Sequence, residues 1–117
     1  MAVKRIVPDL HATDPRASRA FYEDVLGLEL VMDQGWVMTY AAPGNPAAQL
    51  TVLADDATAP VAPDVSIEVD DVDAAYAAAL GGGHEIVHPL TDEPWGVRRF
   101  FARDPATFKV INILSHR

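Results

Sequence analysis

Asp64, Ser66 and Glu68 alternate with Val65, Ile67 and Val69, so a strand here sets two carboxylates and a hydroxyl on one face. Neighbouring carboxylates are what general acid–base catalysis uses, but a spacing of two recurs on every amphipathic strand and names no reaction. Trp36, Met38 and Tyr40 alternate in the same way. They form either one wall of a core or one wall of a pocket that holds a flat ligand by stacking. Other chemistries are sparsely furnished. The chain has no cysteine, which excludes disulfides, thiolate metal sites and thiol nucleophiles. Its four histidines, His11, His84, His88 and His116, lack the spacing of a ligand pair and read as surface or structural groups. Gly81-Gly82-Gly83 follows a helical pattern with no Lys-Ser/Thr after it, so it is a helix stop rather than a phosphate cradle. Asp70, Asp71 and Asp73 lie where they complement the positive end of a helix.

Charge narrows the partner. The net charge is −8, which repels a phosphate backbone and argues against nucleic acid. No Lys or Arg occurs between positions 20 and 97, a stretch with fourteen acids. That pattern fits a solvated acidic surface or, alternatively, an acidic concavity drawing a cationic or electron-poor ligand. With 117 residues, half of them apolar, the chain makes one globular domain and is not disordered. No apolar run reaches membrane-spanning length. The opening residues carry no secretory h-region, so no membrane partner and a cytoplasmic location are expected.

A first strand is expected near residues 4–10. Asp14 and Pro15 open a helix, whose apolar face is Ala17, Ala20, Phe21, Val25 and Leu26 and whose stop is Gly27. Strands follow near 28–32, 36–41 and 49–53, with a loop at 43–46. Residues 55–63, rich in Ala, Pro and Asp, read as a linker. The order then repeats: a strand at 64–69, a helix from Asp71 to about Leu80, and strands near 85–88, 98–103 and 109–114. Asp14 corresponds to Asp71, and Leu26-Gly27 to Leu80-Gly81. The expectation is an α+β fold, residues 1–117 forming one domain of two βαβββ modules at about 3–54 and 64–114.

Three segments carry a resemblance. Asp14-Pro15-Arg16-Ala17-Ser18-Arg19-Ala20-Phe21-Tyr22-Glu23-Asp24-Val25-Leu26-Gly27 resembles the helix signature of the vicinal oxygen chelate superfamily, which includes glyoxalase I, extradiol dioxygenases, and fosfomycin and bleomycin resistance proteins. Val69-Asp70-Asp71-Val72-Asp73-Ala74-Ala75-Tyr76 resembles the start of its second module, and 93–105 its closing hairpin and turn. In that turn Phe108 stands where glycine is usual, after one extra residue. The resemblance implies two curled mixed sheets, each with a helix on the convex side and a ligand cup on the concave side.

It also implies where a divalent metal would be held: Val7, Gln49 or Thr51, Asp64, and Asn112 or Ile111 depending on register. Alternation favours Asn112, which turns Ile111 and Ile113 toward the helices. A valine, a carboxylate and neutral groups are a poor metal set, so no metal and no cofactor are expected. If Val7 faces the cup, so do Arg5 and Asp9; if Asp64 does, so do Ser66 and Glu68. Trp95 matches a tryptophan that bleomycin and mitomycin resistance proteins use near planar drug rings. The expected ligand site is therefore Val7, Asp9, Trp36, Met38, Tyr40, Gln49, Asp64, Ser66, Trp95 and Asn112. The expected function is metal-free sequestration of a small planar, cationic or neutral organic ligand such as an antibiotic, in a homodimer. The alternative is a lyase, isomerase or dioxygenase of the same superfamily, metal-dependent or metal-free, for which no catalytic residue stands out.

Overall fold

The computed structural model describes residues 1–117. Eight strands form one curled sheet: β1 (Val3–His11), β2 (Glu29–Asp33), β3 (Val37–Ala42), β4 (Asn45–Leu53), β5 (Val65–Val69), β6 (Ile86–Glu93), β7 (Val97–Arg103) and β8 (Val110–His116). Their order across the sheet is β2-β3-β4-β1-β5-β8-β7-β6, so the halves are related as by a twofold at the β1–β5 seam. Parallel pairs β1–β4 and β5–β8 match each other, and the seam itself is antiparallel, with Val7 opposite Ser66. The halves thus pair within one chain. The fold is α+β, as the repeat predicts. No helix is long and apolar enough to cross a membrane.

Each half packs a helical layer on the outer face of its sheet. In the second half this is α1 (Val72–Gly81), where Asp71 Oδ1 accepts from the Ala74 N–H at 3.0 Å. Val72, with Ala75 and Tyr76, meets Val69 and Phe100 in one apolar cluster. The first half departs from the expected single α-helix. Asp14 Oδ1 accepts from the Arg16 N–H at 3.3 Å and draws Pro15–Ser18 into a 3-10 turn. A wide π turn, Phe21–Val25, follows and closes on Gly27 at φ +67°. The irregular pitch seats Tyr22 on the sheet, its ring centroid 5.0 Å from that of Tyr40.

Two strands run longer than the sequence pattern suggests. Residues 43–44 alone make the β3–β4 turn, with Gly44 at φ +77°, and Pro46 lies beside a register shift where no ladder bond is demanded of it. On β6 Pro89 sits inside such a shift, between His88 and Thr91, on an edge strand. Proline is tolerated in both places because its missing N–H leaves no partner unpaired.

Candidate functional site

The concave side of the sheet encloses a cup of about 410 Å³ between the halves, within the range of small-molecule pockets. Its floor is the seam. Val7 and Asp9 on β1, Ser66 on β5 and Asn112 on β8 all line it, joined by Gln49 and Thr51 on β4. Asn112 lies on the cup side because Ile113 packs into the helix-facing cluster and strand side chains alternate.

The floor groups form a connected polar array. Ser66 Oγ donates to Asp9 Oδ2 at 2.6 Å, and Asn112 Nδ2 donates to Ser66 Oγ at 3.0 Å. Burial pushes the Asp9 carboxyl up to about 6, against the Ser66 hydrogen bond and the neighbouring His11, which favour the charged form. Beside them Thr39 and Thr51 share a hydroxyl hydrogen bond at 2.8 Å. Arg5 donates to Gln49 Oε1 at 2.7 Å and pairs with Glu68 at 2.8 Å. Burial raises the Glu68 pKa, but its His116 hydrogen bond and the Arg5 charge win and hold it below the carboxylate range.

The rim supplies aromatic surface. Trp36 and Trp95 come from different halves, both line the cup, and they are 44% and 52% exposed. The Arg99 guanidinium lies under Trp95, 5.1 Å from its centroid. Arg99 also reaches Asp56 at 3.0 Å and Thr58 at 2.8 Å, so the connection between the halves is strapped to β7 at the cup wall. Burial works to raise the Asp56 pKa, yet the Arg99 and Thr58 hydrogen bonds hold it below its ordinary value.

Three expected site residues lie elsewhere. Met38 and Tyr40 are fully buried on the helix-facing side, packed with Val52. Trp36 shares their parity but precedes β3, after a turn with Gly35 at φ +79°, and so reaches the cup while they do not. Asp64 stands before β5, where its Oδ2 accepts from the Val110 N–H at 2.8 Å and its Oδ1 lies 3.5 Å from His11. It ends the parallel β5–β8 pair and does not line the cup. Sequence reasoning missed Thr39, Asp56 and Arg99. Thr39 was readable as the opposite parity of Met38, whereas the Asp56–Arg99 pair joins distant segments and left no local signal.

The donor set does not fit the divalent ion that the resemblance implies. At the ligand positions Val7 offers no lone pair, Asp9 is the one carboxylate on the floor, and Arg5 and Arg99 bring cations to the walls. No three His, Cys, Asp or Glu side chains converge anywhere in the chain.

Known structures share this architecture. The NAD-dependent benzaldehyde dehydrogenase from Legionella pneumophila superposes with a TM-score of 0.75 at 17% identity, over 96% of this chain and 99% of that one. A glyoxalase/bleomycin resistance protein/dioxygenase superfamily member from Vibrio splendidus 12B01 gives 0.73 at 18% identity, over 97% and 99%. Methylmalonyl-CoA epimerase from Mycobacterium tuberculosis gives 0.68 at 18% identity, over 98% and 87%. At these identities the likeness shows the fold. No curated protein sequence matches the chain. The family model of the glyoxalase/bleomycin resistance protein/dioxygenase superfamily matches residues 4–110, and with the paired half-sheets and the cup at their seam, the chain belongs to that superfamily.

Proposed function

We propose that the chain is a small-molecule-binding protein that holds a planar organic ligand in the cup without a metal ion. One observation carries the reading: two half-exposed indoles from different halves line one cavity. Water-facing tryptophans lose little on being covered by a flat ring and gain stacking. The polar floor then orients the ligand. Asp9 takes over the role that Asp64 was expected to play in favouring a cation, since it is the carboxylate on the cup floor, while Asp56 on the wall is paired with Arg99.

The test is a screen of planar cationic and neutral compounds, quinone and glycopeptide antibiotics included, by tryptophan quenching and thermal shift. A compound that quenches fluorescence and raises the melting temperature supports the reading. Stabilisation only by added divalent metal, with no response to any planar compound, overturns it.

A second reading is a metal-free isomerase or lyase, and the elevated pKa of Asp9 favours it. A carboxyl near 6 is poised to accept and return a proton at neutral pH. Turnover of a bound compound, abolished in Asp9→Asn with binding retained, would select this reading over sequestration.

A further inference from the structure

Two arginines line the cup, Arg5 and Arg99, and their donors are differently employed. Arg99 is fully committed. Its side chain is 6% exposed, Nη1 donates to Asp56 at 3.0 Å, and Nη2 donates to Thr58 at 2.8 Å with Glu93 at 3.5 Å. Arg5 keeps 26% of its side chain exposed. Its Nη1 donates to Gln49 Oε1 at 2.7 Å, and its Nε lies 2.8 Å from Glu68 Oε1. Nη2 makes no hydrogen bond within the chain and is not buried. Its two N–H groups are unclaimed cationic donors on the cup wall.

Arg5 is held as well as open. Gln49 on β4 and Glu68 on β5 grip it from the strands on either side of β1. Gln49 is itself fixed, its Nε2 donating to the Pro46 carbonyl at 2.8 Å, and Glu68 is fixed by His116. A guanidinium anchored in this way gives up little side-chain freedom when a further acceptor arrives.

We infer that Arg5 takes a carboxylate of the ligand through Nη2, so that the planar molecule in the cup is an aromatic acid. The inference rests on the reading of the cup as a ligand site and specifies the group that the ligand presents. A guanidinium binds a carboxylate by charge-assisted hydrogen bonds, roughly twice as strong as those to a neutral oxygen. A doubly charged phosphate fits worse, because Glu68 already faces the same guanidinium and the chain carries a net charge of −8. Asp9 lies four positions along the same face of β1, roughly 13 Å away. An anionic end at Arg5 and a cationic end at Asp9 therefore do not compete.

The test compares 2-naphthoate with its neutral isostere 2-naphthamide by calorimetric titration at neutral pH. The native chain is expected to bind the naphthoate about tenfold tighter, the scale of one charge-assisted hydrogen bond, although its overall charge repels anions. Arg5→Gln is expected to abolish that preference. Glu68→Gln removes the competing carboxylate and is expected to widen it, which keeps the inference testable if Arg5→Gln does not fold. An arginine with a purely structural role would weaken both compounds alike and leave their ratio unchanged. Equal affinities in the native chain, or a ratio that neither variant moves, overturn the assignment of Arg5 while the cup stands as a ligand site. Failure of both compounds to bind the native chain overturns the inference and counts against the cup itself.

Discussion

Arg99 lies 3.0 Å from Asp56, with both side chains 6% exposed, and this contact anchors the connection between the halves to the wall of the cup. Removing one member of a buried pair leaves the other as an uncompensated charge. Arg99→Ala is therefore expected to lower stability by about 3–5 kcal/mol in chemical denaturation. Because the Asp56 carboxyl is held below its ordinary 3.8, its contribution is present above that value and fades as pH falls through the lower folded value. A loss well under 1 kcal/mol would mean that water already screens the pair.

Asp9 acts in the opposite sense. Its folded pKa, about 6, exceeds the ordinary 3.8, so the folded chain holds the proton more tightly than the unfolded one. That contribution is complete below about pH 4 and is lost as pH rises through 6, amounting to about 3 kcal/mol at most. Asp9→Asn should melt higher than the native chain at pH 7.5 and lose that advantage near pH 4.5. A calorimetric difference that does not vary with pH would show Asp9 to be well hydrated.

The aromatic rim of the cup and the buried core should respond differently to truncation. Trp36→Ala and Trp95→Ala are each expected to weaken a planar ligand several-fold while changing stability little, stacking being worth about 1 kcal/mol beyond area. Met38→Ala is expected to cost about 2–5 kcal/mol of stability, as cavity-forming core changes do, and to leave the affinity intact. Equal affinity losses in all three would contradict the placement of Met38.

Phe108 adopts φ +61° and is 69% exposed. A side chain in the left-handed region costs about 1–2 kcal/mol, and this ring buries little in return. Phe108→Gly should raise the urea midpoint slightly, the relief being partly offset by the freer unfolded chain. A lower midpoint would reveal a packing role for the ring.

Self-association is the last expectation. Val3, Ile6 and Leu10 on β1 are exposed apolar side chains at the centre of the sheet. A second copy would cover them, giving a homodimer with one cup per chain. Light scattering at micromolar concentration should give twice the chain mass, and Ile6→Glu should halve it. A monomeric native chain would refute the expectation.

Element order was legible because each half repeats a capping aspartate, an apolar helical face and a glycine stop. The cup-facing position of Asn112 followed from its alternation with Ile111 and Ile113, and the anomaly at Phe108 from its place where glycine is usual. The side chains of β3 were not legible. That strand is buried on both faces from Val37 to Ala41, so it carries no polar–apolar contrast to tell cup from core. The pitch of the first helical segment was hidden too, since Tyr22 meeting Tyr40 is a tertiary demand. Asp64 sat at the right spacing for the cup, but its side chain was claimed by a strand-end N–H that only the assembled sheet supplies.

Asp9 and Ser66 occupy equivalent places in the two halves, at the same offset that separates the capping residues Asp14 and Asp71. Identical halves would make a receptor whose ends are interchangeable, and any guest would sit in it in two orientations of equal energy. An aspartate facing a serine removes that degeneracy: one side of the seam carries the carboxylate and the other the hydroxyl that serves it. Divergence at this single pair gives a duplicated scaffold polarity, and an unsymmetrical molecule docks in it one way round.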